Sequence, residues 1–217
     1  MPRPAAIRDY GGVSASERQA DRRRKLLEAG RQLWGGSGIA EVTVRRVCAQ
    51  SGLVPRYFYE EFPDRDALLL AVAGQVRDEL FDAMVSVGLS EPGDIADRLR
   101  AALKAFLDRI ADDPDIHRIF TDILAGTGPL AEPRRQALDI VTTLALEHGP
   151  GFLKVPPPSL AEMRRSATFI VGGVNQLIDA WVHDPHDSPA ELADLCTKFS
   201  LAIVRTTPAT QSTREPQ

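Results

Sequence analysis

Residues 43–62 read TVRRVCAQSGLVPRYFYEEF, and their pattern indicates two short helices joined by a glycine turn. Thr43 is a suitable N-cap for the first helix, whose apolar positions follow the spacing i, i+3, i+4. Gly52 marks the turn, and Pro55 begins a second helix that extends to about Glu60. This is the layout of a helix-turn-helix, a motif that places its second helix in the major groove of DNA.

The second helix has an apolar side and a side suited to nucleic acid. Leu53, Phe58 and Phe62 are the apolar residues expected to face inward. Packing them inward directs three other side chains outward: Arg56, Tyr57 and Tyr59. Arginine can donate two hydrogen bonds to guanine, and tyrosine can bond phosphate or touch a thymine methyl group. The segment therefore has the residue types that DNA recognition requires.

Charge is distributed unevenly along the chain. The net formal charge is −4, yet residues 1–62 carry eleven Lys and Arg against seven Asp and Glu, a local net charge of +4. The remainder has a net charge of −8. A basic end on an acidic body is typical of a protein that presents one end to a polyanion.

Helical periodicity runs through nearly the whole chain and strand alternation is almost absent, so we predict an all-α fold of about nine helices. Gly35, Gly36 and Gly38 are expected to end the first helix. The expected domains are a flexible arm (1–15), a helix-turn-helix domain (16–63), a helical effector-binding and dimerisation domain (64–207) and a disordered tail (208–217). The other predicted helices span 16–34, 65–87, 95–111, 114–124, 132–147, 160–183 and 189–206.

Composition and cysteine spacing argue against a membrane-spanning, secreted, disulfide-stabilised or zinc-binding protein. With 43% hydrophobic and 26% charged residues, the chain is ordinary for a globular protein. No apolar run is long enough for a transmembrane helix, and the N-terminus lacks the apolar core of a secretory signal. Cys48 and Cys196 have no CxxC spacing, so we expect neither a disulfide framework nor a zinc site. We expect a cytoplasmic protein without metal or cofactor.

The stretch from the first helix through PDRDALL (63–69) resembles the N-terminal domain of the TetR (tetracycline-repressor) family. The resemblance covers roughly residues 20–72, and FIVGGVNQLI (169–178) is similar to the family's usual penultimate helix. The matched positions are Thr43, Val44, Val47, Cys48, Gly52, Leu53, Phe58, Tyr59, Phe62, Pro63, Arg65, Ala67 and Leu68.

The resemblance implies a homodimeric repressor that a small molecule releases from a palindromic double-stranded operator. It implies that Thr43 caps the second helix while touching phosphate, and that Tyr59 and Arg65 also contact phosphate. The residues that we interpret as base readers are Arg45, Arg56 and Tyr57.

Two departures from the family pattern affect the recognition helix. Val54 stands where a capping serine is usual, so that cap is lost. Glu61 replaces a usual histidine, and Glu60 adds a second carboxylate beside it. Glu60 is expected to pair with Arg56 at i, i+4. Alternatively, Glu60 or Glu61 accepts a hydrogen bond from cytosine N4.

The C-terminal half is expected to hold an apolar effector and the dimer interface. The candidate pocket residues are Phe81, Met84, Phe106, Ile110, His117, Phe120, Phe169 and Gln176. The last two helices are apolar over a wide arc, which suggests core on one side and a partner subunit on the other. The candidate interface residues are Val174, Leu177, Ile178, Trp181, Leu195, Phe199 and Ile203. Gly172-Gly173 in mid-helix would permit close helix approach.

Three alternatives remain at this stage. An enzyme or metal site around His117 with Asp112, Asp113 and Asp115 is one, but the spacing fits no metal motif, and DDPDIH is more typical of a helix-start cap. A helical scaffold that binds only protein would leave the arginines and tyrosines of residues 43–62 without a purpose. An activator of the same fold is the third.

Overall fold

The computed structural model describes residues 14–126, 128–132, 135–136, 139–140, 142–143 and 159–206. These residues form helices and connecting turns without a strand, which confirms the all-α prediction. Eight α-helices have both ends within them: α1 Ala15–Ser37, α2 Val44–Ser51, α3 Pro55–Glu61, α4 Arg65–Ser90, α5 Ile95–Asp112, α6 Pro114–Ala125, α7 Leu160–His183 and α8 Pro189–Thr206.

Three expectations fall wholly or partly outside the described residues. They are the flexible arm, of which residues 14 and 15 are described, the tail from 208 and much of the helix predicted at 132–147. The described positions between 131 and 143 are helical. None of the described helices is long and apolar enough to span a membrane.

The chain divides into two compact units, Met1–Val72 and Ala73–Gln217, so the boundary falls within α4. It lies nine residues beyond the predicted division between 63 and 64. The reason is packing, because Leu68 and Val72 of α4 are buried in the first unit. A Cβ at Gly30 of α1 would lie 3.2 Å from Leu68 and 3.3 Å from Val72, so the two helices approach closely there.

The first helix is longer at both ends than its predicted span of 16–34. It begins at Ala15, where Ser14 and Glu17 form a capping box. It continues through Gly35 and Gly36, which were wrongly expected to end it; Gly35 is buried, and tertiary packing outweighs its low helix propensity. Only Gly38, at φ 94°, acts as the terminator, and its N–H donates to the Trp34 carbonyl at 2.8 Å.

The second unit is built around α5 and α8, which pack along one another. Its buried apolar residues include Leu107, Ile110, Ile116 and Ile119, each fully shielded from solvent. Asp113 caps α6 by accepting hydrogen bonds from the backbone N–H groups of Asp115 (2.9 Å) and Ile116 (3.2 Å). The interpretation of DDPDIH as a helix-start cap is therefore confirmed.

Each unit contains one buried free cysteine. Burial raises the pKa of the Cys48 thiol in the first unit. It raises the pKa of the Cys196 thiol in the second unit to about 11. Both groups are neutral thiols at physiological pH and pack as small apolar side chains.

Candidate nucleic-acid interface

The turn between α2 and α3 has the geometry that the sequence predicts. Thr43 caps α2 by accepting a hydrogen bond from the Arg46 N–H at 3.3 Å. Gly52 ends α2 in the left-handed region, at φ 68° and ψ 21°, where glycine alone is unstrained. Its N–H donates to the Cys48 carbonyl. Thr43 and Gly52 thus fix where α2 starts and where the chain turns into α3.

The recognition helix α3 is anchored by aromatic packing. Phe58 is fully buried, and its ring meets Tyr59 edge-on at 5.4 Å and Phe62 at 5.8 Å between centroids. Leu53 is half-buried. Val54 supplies no side-chain cap, as predicted, and Pro55 occupies the first turn, where it leaves no N–H unpaired. The orientation of α3 therefore depends on Phe58 and Phe62.

The residues predicted to contact DNA are mostly exposed on this unit. Arg56 has 84% of its side chain exposed and Tyr59 is 59% exposed. The other exposed members of the set are Thr43, Arg45 and Tyr57. Their exposure makes them available to a ligand, and their contact with DNA stays a prediction.

Arg65 is the exception, because the fold already uses its guanidinium. Its Nε donates to the Val42 carbonyl at 2.5 Å, and Nη2 donates to the Ile39 carbonyl at 2.6 Å. These bonds tie the start of α4 to the segment just before Thr43, so Arg65 helps to place the α2 cap. A phosphate contact by Arg65 remains a prediction.

The predicted pair of Arg56 and Glu60 is confirmed. Arg56 Nε donates to Glu60 Oε1 at 3.0 Å. Glu61 is half-buried, and its backbone carbonyl accepts a hydrogen bond from Arg23 at 3.2 Å. Of the two carboxylates, Glu60 is therefore the one that neutralises a candidate DNA-reading side chain.

Two arginines of α1 that the sequence interpretation did not single out also contact this segment. The guanidinium of Arg22 lies 4.8 Å from the centre of the Tyr57 ring, and that of Arg23 lies 4.5 Å from the Phe62 ring. A signal was present in the sequence, because Arg22 and Arg23 lie one helical turn before the buried Leu26 and Leu27. That spacing places their stems on the packed face of α1.

The candidate effector residues separate into a buried group and an exposed group. Phe106, Ile110 and Phe120 are buried in the second unit, with the two phenyl rings 5.6 Å apart and nearly perpendicular. His117, which lies three residues before Phe120, is half-buried. Its Nε2 lies 3.2 Å from the Val182 carbonyl oxygen.

The remaining pocket candidates lie elsewhere. Phe81 and Met84 are half-buried on α4. Phe169 and Gln176 are exposed on α7, with Phe169 69% exposed, so neither belongs to the buried group. The sequence makes Phe169 and Gln176 pocket candidates because helical spacing alone does not show which side of α7 faces the core.

The candidate dimer residues are likewise mixed. Ile178 and Trp181 are buried in their own unit, and the Trp181 indole N–H donates to the Asp187 carbonyl at 2.8 Å. Phe199 is 49% exposed. The others are half-buried: Val174, Leu177, Leu195 and Ile203. Association through these residues stays a prediction.

Comparison with known protein families gives a match in the first unit. Residues 26–72 match the family described as bacterial regulatory proteins, tetR family. The matched segment contains α2, the Gly52 turn, α3 and the start of α4. No curated protein sequence matches the chain.

Solved structures share the fold over most of the chain. AlkX, a TetR-family repressor from Dietzia sp. implicated in biodegradation of n-alkanes, is 21% identical, with a TM-score of 0.56, covering 86% of this chain and 97% of that chain. FadR from Bacillus subtilis, solved with stearoyl-CoA, is 13% identical with a TM-score of 0.63, covering 82% and 97%. SmeT, the repressor of a Stenotrophomonas maltophilia multidrug efflux pump, is 17% identical with a TM-score of 0.62, covering 84% and 91%.

Proposed function

We propose that the chain, whose residues 26–72 match the tetR family of bacterial regulatory proteins, is a DNA-binding transcriptional regulator, and specifically a homodimeric repressor released from a palindromic operator by a small molecule. In this proposal the N-terminal unit binds DNA, and the C-terminal unit binds the effector and the partner subunit. The protein acts in the cytoplasm, where its DNA target is.

The exposed face of the helix-turn-helix is the observation that carries the proposal. Arg56, Tyr57 and Tyr59 project from α3 while Phe58 and Phe62 hold that helix from beneath. Arg45, Arg56 and Tyr57 are proposed to read bases. Thr43, Tyr59 and Arg65 are proposed to contact phosphates. An exposed arginine on a helix that fits the major groove can grip guanine O6 and N7 bidentately.

A second copy of the chain is the partner that best suits α7 and α8. Phe169 on α7 and Phe199 on α8 are large exposed apolar residues, and Gly172 and Gly173, one helical turn after Phe169, are also exposed on α7. Among the described residues, a Cβ at either glycine would meet nothing within 4 Å. Packing against the described residues therefore does not require the glycines, and they would allow a partner helix to approach closely. Two-fold symmetry would match the two halves of a palindrome.

The proposed effector is largely apolar. The buried aromatic pair Phe106 and Phe120, with Ile110 beside them, offers hydrocarbon contacts, and the half-buried His117 offers one polar group. FadR binds stearoyl-CoA and AlkX is implicated in n-alkane degradation. Long-chain acyl compounds and alkanes are therefore the first classes to screen.

Release from DNA is proposed to involve α4, which contributes residues to both units. A ligand that favours one position of α4 would change the separation of the two recognition helices in the dimer. Half-sites lie about 34–36 Å apart or a multiple of that, so an altered separation costs contacts on one side. Ligand must then weaken DNA binding by the same factor that DNA weakens ligand binding, typically about 5–150-fold.

Selection from a random duplex library tests the proposal. We expect the full-length protein to enrich a palindromic sequence, and a reporter gene downstream of that sequence to be silenced. Arg45→Gln should weaken binding, whereas Arg118→Gln, which removes an exposed charge in the second unit, should not. Enrichment of no sequence would refute the proposal, and increased reporter expression would favour the activator.

A further inference from the structure

We propose that Glu60 and Arg22 are positioning residues for the recognition helix, and that Glu60 sets the base preference of Arg56. The inference rests on the proposed function, because it concerns how the same α3 face discriminates between DNA sequences.

The contact between Glu60 and Arg56 leaves the reading end of the arginine free. The hydrogen bond of 3.0 Å joins Glu60 Oε1 to Arg56 Nε. The guanidinium has five N–H donors, and this contact occupies the one on Nε. The terminal Nη1 and Nη2 groups, which grip guanine O6 and N7, stay available on a side chain that is 84% exposed. The carboxylate thus orients Arg56 without blocking it.

Glu60 is itself held by the first helix. Its Oε2 lies 3.9 Å from Arg22 Nη2, so one carboxylate bridges Arg56 of α3 and Arg22 of α1. The Arg22 guanidinium also lies 4.8 Å from the centre of the Tyr57 ring. Arg22 is only 24% exposed, which gives it a firmer position than Arg56 has. A single residue of α1 therefore supports both base-reading candidates of α3.

The carboxylate has two opposite effects on DNA binding. Its negative charge repels phosphate and so weakens binding to every sequence. The carboxylate also restricts Arg56 to one orientation. That orientation favours the base pair that it fits and disfavours contacts between Arg56 and phosphate that do not depend on sequence. Loss of Glu60 should therefore increase affinity in general while reducing selectivity.

Three variants separate these effects on the duplex enriched from the random library. Glu60→Gln removes both the charge and the strong bond. Glu60→Asp keeps the charge but is one methylene shorter, so it loses the geometry of the 3.0 Å bond that orients Arg56. Glu61→Gln removes the same charge one residue away and serves as the control. Affinities for that duplex and for each single-base variant are measured by fluorescence anisotropy, with circular dichroism to check folding.

We expect Glu60→Gln to bind all duplexes more tightly and to lose about two- to fivefold of discrimination at the base pair that Arg56→Ala identifies. Glu60→Asp should lose part of that discrimination without the gain in affinity, and Glu61→Gln should gain affinity while keeping the discrimination. Unchanged discrimination in both Glu60 variants would overturn the inference but leave the proposed function intact. A change at a different base pair would also overturn it, because Glu60 would then act on a base that Arg56 does not read. If the wild-type protein enriches no duplex, the proposed function fails and the inference fails with it.

Discussion

Gly52→Ala should destabilise the N-terminal unit, whereas the same substitution at Gly36 should stabilise it. Gly52 is at φ 68°, and a non-glycine residue in the left-handed region costs about 1–2 kcal/mol. A Cβ there would meet none of the described residues within 4 Å, so backbone strain is the effect that we expect. Gly36 lies in the last turn of α1 with open space around it, and alanine gains about 1 kcal/mol over glycine in a helix.

Urea unfolding followed by Trp34 fluorescence, in a Trp181→Phe background, measures how each substitution changes the free energy of unfolding. With a slope of about 2 kcal/mol per molar urea, the two midpoints should move in opposite directions by roughly 0.5 M each. Gly52→Asn should recover part of the loss, because asparagine tolerates the left-handed region. Midpoints that move together would refute the account of the turn.

Three further predictions concern recognition, assembly and the thiols. Arg56→Ala should cost about 1–3 kcal/mol of binding free energy at one base pair of each half-site, whereas Tyr59→Phe should weaken binding to all duplexes similarly. If competition binding shows that Arg56→Ala also weakens binding to all duplexes equally, Arg56 is not a base reader. Light scattering should show that the wild-type protein is a dimer and that Phe199→Glu is a monomer. A stable wild-type monomer at micromolar concentration would contradict the proposed interface. Cys48 and Cys196, whose burial raises both pKa values, should react with a thiol reagent at neutral pH only after unfolding. Rapid reaction of the folded protein would show that they are accessible.

Local signals predicted the recognition segment well. The cap at Thr43, the turn at Gly52 and the pairing of Arg56 with Glu60 each depend on residues at most four positions apart. Asp113 likewise caps α6 through neighbours in the sequence. In such cases propensity and side-chain chemistry act within one helical turn, so the sequence contains the information directly.

The sequence predicts less well the features that depend on packing between residues far apart in the chain. The first helix continues through Gly35 because that residue is buried, and the unit boundary moves to Val72 because Gly30 of α1 receives α4. Phe169 faces solvent although its spacing fits an interior position equally well. The contact of Arg22 with Tyr57 joins residues far apart in the chain and depends on the angle between α1 and α3, which no local pattern gives.

The salt dependence of duplex binding tests the central claim most directly, namely that the helix-turn-helix face of the N-terminal unit binds operator DNA. The enriched duplex is titrated by fluorescence anisotropy between low and physiological salt. With about 6–10 phosphate contacts, affinity should fall by about 10³–10⁵ between 50 and 200 mM salt. Arg118→Gln should leave the slope unchanged. A response that is flat with salt would contradict the claim.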